Sequence, residues 1–222
     1  MNNPFDYFDE IYCINLDDRT DRWKHSCEQF KILGIYDRVK RFSAIRPTHD
    51  ERWNRSVPWG KGKYAYPLKG AVGCAESHKA IISLAKEQNL KNVMVFEDDF
   101  LVLENWKENL SNSISELQNH RWHNFYLGYH LHRVSRNMEI KHGEHLSRTV
   151  AKKHRGIQLT TALAYNSTIF DYLIQHINPF NHRECGREGH VDKYYASKRK
   201  IMKYFAKPKI VTQNHDLGSD IQ

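Results

Sequence analysis

Apolar and polar positions change period several times along the chain, and each change marks an element. Residues 11–16, IYCINL, form a short apolar run that predicts a buried strand. The polar stretch DDRTDR (17–22) reads as a turn that caps a helix running to Leu33, with Gly34 as its stop. VKRFSAI (39–45) predicts the next strand, so a β-α-β unit and parallel pairing are expected. Residues 46–69 hold three of the six prolines, two glycines and two tryptophans without steady period. They predict a long loop, of the length that is usually functional or mobile.

Helical spacing returns at 72–88, where Ala80, Ile81, Leu84 and Ala85 mark an apolar stripe. A strand at 93–97 and a helix near 104–118 follow. NFYLGY (124–129) and QLTTALAY (158–165) predict strands, STIFDYLIQHI (167–177) and a segment around 190–200 predict helices, and KIVTQ (209–213) a closing strand. The order largely alternates, which predicts one α/β domain over 1–222 with a mainly parallel sheet flanked by helices. Ligands of such sheets bind beyond the carboxyl ends of the strands.

One predicted strand ends abruptly. In VMVFEDDF (93–100) four apolar residues suit a strand buried on both faces, and Glu97, Asp98 and Asp99 follow at once. Adjacent carboxylates repel and raise one another's pKa unless a cation lies among them. On a continuing strand Glu97 and Asp99 share a face while Asp98 points away. Two hard oxygen ligands with open positions suit Mg²⁺ or Mn²⁺ carrying substrate phosphates.

Composition narrows the field. With 222 residues, 40% of them hydrophobic and 27% charged, the chain suits a soluble globular domain. No apolar run reaches membrane-helix length, and MNNPFDYFDE lacks the regions of a signal peptide. Cys13, Cys27, Cys74 and Cys185 are scattered without a C-x-x-C pair, which predicts reduced thiols and a cytoplasmic setting. A net charge of +8 favours anionic partners, including peripheral contact with an anionic membrane. The basic residues are dispersed apart from AKKHR (151–155) and SKRKIMK (197–203), so a solvated basic surface competes with a binding face, and no stable nucleic-acid partner is expected.

Four segments together resemble glycosyltransferase family 25, the lipooligosaccharide and procollagen galactosyltransferases. They are INLDDRTDR (14–22), GCAESH (73–78), VMVFEDDF (93–100) and QNHDLGSDI (213–221), in the family's order and spanning nearly the whole chain. The resemblance implies a GT-A-like nucleotide-sugar-binding fold, a UDP-sugar donor bridged by Mn²⁺ (or Mg²⁺), and inverting transfer of a hexose, galactose or glucose, to a hydroxyl of a glycan or glycoconjugate. The lack of an anchor or signal suits a cytosolic enzyme of the bacterial or viral kind. The alternatives are a metal-dependent phosphoesterase or nuclease, which would want a second carboxylate pair, and a basic nucleic-acid-binding module.

Roles follow on that resemblance. Asn15 and Leu16 at the end of the first strand, with Arg19 and Arg22 beyond it, meet uridine and diphosphate, where the arginine fork suits phosphate oxygens. Ser77 and His78, expected in the first turns of a helix, join them, with Glu97 and Asp98. Glu97 and Asp99 hold the metal, and His215 or Asp220 closes its shell. Asp192 in GHVDKYY is the candidate general base, with Glu188 in reserve; a helix N-cap is the competing role for Asp192. Trp53, Trp59, Tyr64 and Tyr66 of the loop could stack on sugar faces.

Overall fold

The computed structural model describes residues 3–47, 68–132, 139–149, 156–185 and 189–218, with the backbone of 56–59 and 62–65. Trp53, Tyr66, Glu188 and Asp220, and the side chains of Trp59 and Tyr64, lie outside the described residues.

The first half follows the predicted order. Strand β1 (Glu10–Asn15) leads through helix α1 (Thr20–Leu33) to β2 (Val39–Ser43), and β1 and β2 pair in parallel. Gly34 ends α1 in the left-handed conformation, φ 63°, which a residue without Cβ adopts at little cost. The predicted cap at its start differs: Arg19 is the N-cap residue and makes no side-chain cap bond. The 46–69 segment contains a hairpin, β3 (Ser56–Trp59) with β4 (Gly62–Ala65). Helix α2 (Lys69–Glu87) begins three residues before the expected 72 and leads into β5 (Asn92–Glu97). Its buried face carries Ala71, Ala75, His78, Ile81, Ile82 and Ala85, so Ile81 and Ala85 of the expected stripe are buried while Ala80 and Leu84 lie at its edge.

The second half adds elements that the periodicity did not disclose. A short strand β6 (Phe100–Val102) precedes α3 (Trp106–Leu117) and β7 (Asn124–His132). Then come β8 (Glu139–Lys141), β9 (Leu146–Thr149) and β10 (Gly156–Asn166). The helices α4 (Phe170–His176), α5 (His182–Cys185) and α6 (Val191–Ser197) precede β11 (Lys203–Ala206) and β12 (Val211–Gln213). Eight strands form one sheet in the order β2-β1-β5-β10-β7-β11-β9-β8, and β12 pairs with β6 beside it. Only β10 and β9 run against the rest, so the sheet is mixed but mainly parallel.

Alternation along β5 sorts the core into two layers. Met94 and Phe96 join Ile11, Cys13, Phe30 and Phe125 on the side covered by α1 and α3. Val93 and Val95 join Ile81, Leu163, Leu173 and Tyr195 on the side covered by α2, α4 and α6. Each such side chain contributes about 1.5–3 kcal/mol when fully buried, so β5 is fixed in register and its acidic end is held in place. The basic run 197–203 splits. Arg199 and Lys200 are exposed, whereas Lys203 is wholly buried, donating from Nζ to the carbonyls of Tyr195 at 2.8 Å and Lys198 at 2.6 Å. Burial pulls the Lys203 ammonium down to about 7.

Candidate active site

The strand β5 stops at Glu97, and Asp98 and Asp99 form the turn to β6. Strand alternation therefore does not extend past Glu97, and the expectation that Asp98 points away is corrected: all three carboxylates line one cavity of about 420 Å³. That volume suits a small-molecule site. Asn15, Leu16 and Arg22 line it too, with Ala44–Pro47, Gly73, Cys74 and Gln213.

One face of α1 clamps the acidic turn. Arg22, His25, Ser26 and Gln29 recur at helical spacing and reach it or the strand β6 that follows. Arg22 Nη1 lies 2.6 Å from Asp98 Oδ1, Ser26 Oγ donates to the Asp98 carbonyl at 3.2 Å, and His25 meets the Phe100 carbonyl at 2.8 Å. Gln29 accepts the Val102 N–H at 3.0 Å. The other Asp98 oxygen accepts Asn15 Nδ2 at 2.6 Å, and Asn15 Oδ1 in turn accepts Arg41 Nε at 2.9 Å. Burial lifts the Asp98 carboxyl above its ordinary range, against the pull of Asn15 and Arg22. The pair is nearly dry, so removing either partner would strand a buried charge. Arg22 is thereby committed to Asp98 and to the Gly218 carbonyl at 2.8 Å, rather than presenting an open fork. Arg19 pairs with Asp21 at 2.9 Å and donates to the Leu217 carbonyl at 3.2 Å.

Asp99 differs from its neighbour. Its Oδ2 accepts Gln213 Nε2 at 2.9 Å, while Oδ1 is buried without a hydrogen-bond partner among the described residues. Burial above all, then the Glu97 charge, pushes its carboxyl up to about 7, with Gln213 opposing. A buried orphan oxygen beside a second carboxylate is what a hard cation would satisfy.

One oxygen of Glu97 faces the other way, towards α2 and β10. This Oε1 accepts Thr160 Oγ1 at 2.5 Å and Cys74 Sγ at 3.4 Å, and lies 3.5 Å from His78 Nε2. Burial would raise Glu97, but His78 and Thr160 outweigh it and hold its pKa below the ordinary value. Thr160 reaches Glu97 because β10 bulges: the ladder to β7 breaks between Gln158 and Ala162, and Leu159 takes φ 72°. A non-glycine residue there costs on the order of 1–3 kcal/mol, offset by the surrounding structure. Asp192 supplies part of that offset, accepting the Leu159 N–H on Oδ2 at 3.2 Å and the Lys193 N–H on Oδ1 at 2.6 Å. It is half-buried in the first turn of α6, where His190, not Asp192, is the N-cap residue, and it lies outside the cavity lining.

Ser77 and His78 correct another expectation. Because α2 starts at Lys69, they lie in its third turn, away from the free N–H groups of its start. Ser77 is wholly buried, its Oγ donating to the Gly73 carbonyl at 2.7 Å and accepting the Ile45 N–H at 2.9 Å. This bond holds the 44–47 wall of the cavity. Gly73 lets that wall approach, since a Cβ there would sit 2.4 Å from the Ile45 carbonyl oxygen. Gly73→Ala is therefore expected to cost about 1–3 kcal/mol, and a melting curve would show it; an unchanged midpoint would mean that the wall yields freely. His215 is exposed in the turn after Asn214, whose N–H bonds the Asp99 carbonyl at 2.6 Å. Sequence reasoning missed Arg41, Cys74, Thr160 and Gln213 as contributors. Cys74 left a signal, four residues before His78 on one helix face, and so did Gln213, the first residue of QNHDLGSDI.

Among the described residues no helix is long and apolar enough to cross a membrane, and all four cysteines are free. A Haemophilus influenzae protein described as "Putative glycosyltransferase" is 35% identical over 99 residues, 44% of this chain and 34% of its own length. Two solved structures are similar at low scores. One is a glycosyltransferase involved in the glycosylation of the major capsid of PBCV-1 (TM-score 0.42, 10% identity, 78% of this chain and 65% of that one). The other is a UDP-glucose pyrophosphorylase complexed with UDP-glucose (TM-score 0.44, 9% identity, 92% and 72%). At these scores the two likenesses add nothing to the sequence match. The pattern of glycosyltransferase family 25 (LPS biosynthesis protein) matches residues 8–178, more than half the chain and including the strand end that carries Glu97, and the chain belongs to that family.

Proposed function

We propose that the chain transfers a hexose from a UDP-sugar to a hydroxyl of a glycan or glycoconjugate, with inversion at the anomeric carbon. The observation that carries this reading is the buried, unpartnered Oδ1 of Asp99 at the strand end, in a cavity it shares with Glu97. Family membership supports a nucleotide-sugar donor and a glycan acceptor. Asn15 and Leu16 border the cavity where the nucleotide would lie, and Arg19 stands at the mouth of the same strand-to-helix turn. Arg22 acts through Asp98, fixing the turn that aims Asp99.

Asp99 and Glu97, with His215 or Asp220, would hold a divalent cation, Mn²⁺ or Mg²⁺; when bound it neutralises charge on the leaving diphosphate. Asp192 takes the proton of the acceptor hydroxyl. Its two N–H bonds use two of about four lone-pair positions, so capacity for a proton is left. The basic run 197–203 is broken by the buried Lys203, which disfavours the nucleic-acid reading.

Donor binding has a direct test. UDP with Mn²⁺, at about 100 times its Kd, should stabilise the fold by about 2.7 kcal/mol, roughly 5–10 °C in midpoint for a domain of this size. With EDTA the shift should nearly vanish. An equal shift with AMP or GDP, or none with UDP, would sink the donor assignment.

A further inference from the structure

The side of Glu97 turned away from Asp99 carries a second constellation that hexose transfer does not use. Cys74 Sγ, a ring nitrogen of His78 and a Glu97 oxygen all lie within 4.8 Å of one another. Two of the three separations are 3.4 Å (Cys74 to Glu97) and 3.5 Å (His78 to Glu97). A tetrahedral zinc ion with bonds of about 2.3 Å to sulfur and 2.0–2.1 Å to nitrogen or oxygen spaces its ligands by about 3.3–3.6 Å. Both of these separations fall in that range before any side chain moves.

A second observation points the same way. His78 is wholly buried, yet its Nε2, 3.5 Å from the Glu97 oxygen it faces, has no hydrogen-bond partner among the described residues. The opposite nitrogen is fixed: Nδ1 lies 2.9 Å from the Tyr165 hydroxyl, which lies 3.0 Å from that of Tyr195. A ligating histidine is commonly oriented in this way through its other ring nitrogen. With Nδ1–H donating to Tyr165, the Nε2 lone pair faces the cluster. Cys74 and His78 come from one face of α2 and Glu97 from the end of β5, so the ligands rest on rigid elements.

We propose that Cys74, His78 and Glu97 form a site for a zinc-class divalent cation, with a fourth position open towards the cavity that Cys74 and Glu97 line. The thiolate and imidazole select a borderline-soft ion over Mn²⁺ and Mg²⁺, which take oxygen ligands. Binding forms the sulfur–metal and nitrogen–metal bonds and releases to solvent the Cys74 thiol proton and any proton on His78 Nε2; nothing is oxidised or reduced. The site differs from the donor-bridging centre proposed above: it shares Glu97, adds two residues that centre does not use, and needs no nucleotide.

The test uses the full chain without nucleotide or sugar. Co²⁺ added to the reduced protein should give one equivalent with a thiolate-to-cobalt charge-transfer band and the intense visible bands of tetrahedral cobalt, and Zn²⁺ should displace it. Mn²⁺ should not compete at comparable concentration. Cys74→Ala should lose the charge-transfer band and weaken Zn²⁺ binding more than the roughly 10–100-fold expected of an outer-shell partner. Cys27→Ala, on α1, should keep both. His78→Gln serves as a second ligand variant, with melting curves to establish that each variant is folded. Cobalt spectra without a thiolate band, or equal Zn²⁺ affinity in folded Cys74→Ala, would overturn the site whatever the outcome of the UDP experiment.

Discussion

Asp99→Asn should remove nearly all metal-dependent turnover while keeping the fold. An amide is a far weaker ligand for a hard cation than a carboxylate, so the loss should exceed the roughly 10–100-fold typical of partners one shell further out. The metal-free variant should also be the more stable protein at neutral pH. The Asp99 carboxyl is held up to about 7 from an ordinary 3.8. The folded chain thus keeps a proton that the unfolded chain releases. That contribution is fully present below about pH 4 and is lost as the pH rises through 7, leaving a buried charge at a cost on the order of a few kcal/mol. Asparagine carries no such charge, so the midpoint difference between variant and wild type should grow from pH 4 to pH 8 in EDTA. Excess Mn²⁺ should reverse the order, because only the wild type then gains a ligand. Full turnover by Asp99→Asn would reduce the acidic turn to a structural device.

Asp192→Asn should lower kcat by roughly 10²–10⁴ while UDP-sugar affinity stays within a few-fold, the pattern of a lost general base. The geometry supplies a sharp rival. Asp192 receives the Leu159 N–H, and the neighbouring Thr160 holds Glu97, so a purely bracing residue would act through the bulge. In that case asparagine would lower the melting midpoint and weaken donor and metal binding together. Turnover, donor affinity and melting measured on the one variant separate these outcomes.

What was legible in the sequence was local. Val93 to Phe96 announced a doubly buried strand because their apolar side chains alternate without interruption, and Gly34 announced the end of α1 because few residues take its conformation cheaply. The strands β8, β9 and β11 went unread because three or four residues do not establish a period, and because Lys203 places a charge at a wholly buried position. The acidic cluster was legible as chemistry but not as geometry. Alternation assigned Asp98 to the wrong side since it assumed a strand where the chain turns. The partners Arg41, Thr160 and Gln213 come from strands far away in sequence, and no spacing rule connects them to Glu97 or Asp99. Ser77 and His78 were misplaced for a smaller reason: a helix start three residues early moves them a full turn inward.

The way the acidic turn is supported also bears on how the protein is made. Asn15 and Arg22 leave the ribosome before the carboxylates they hold, Thr160 follows those carboxylates, and Gln213 comes later still. Asp99 and Gln213 lie 114 residues apart, so at about 5–20 residues per second the centre stays incomplete for about 6–23 s after the carboxylates are made. During that interval β5 has β1 beside it but lacks β10 on its other edge, so a doubly apolar strand waits with one side unpaired. Such a nascent chain is a natural client for chaperones, and expression at lower temperature should raise the soluble yield more than any change at the cavity itself.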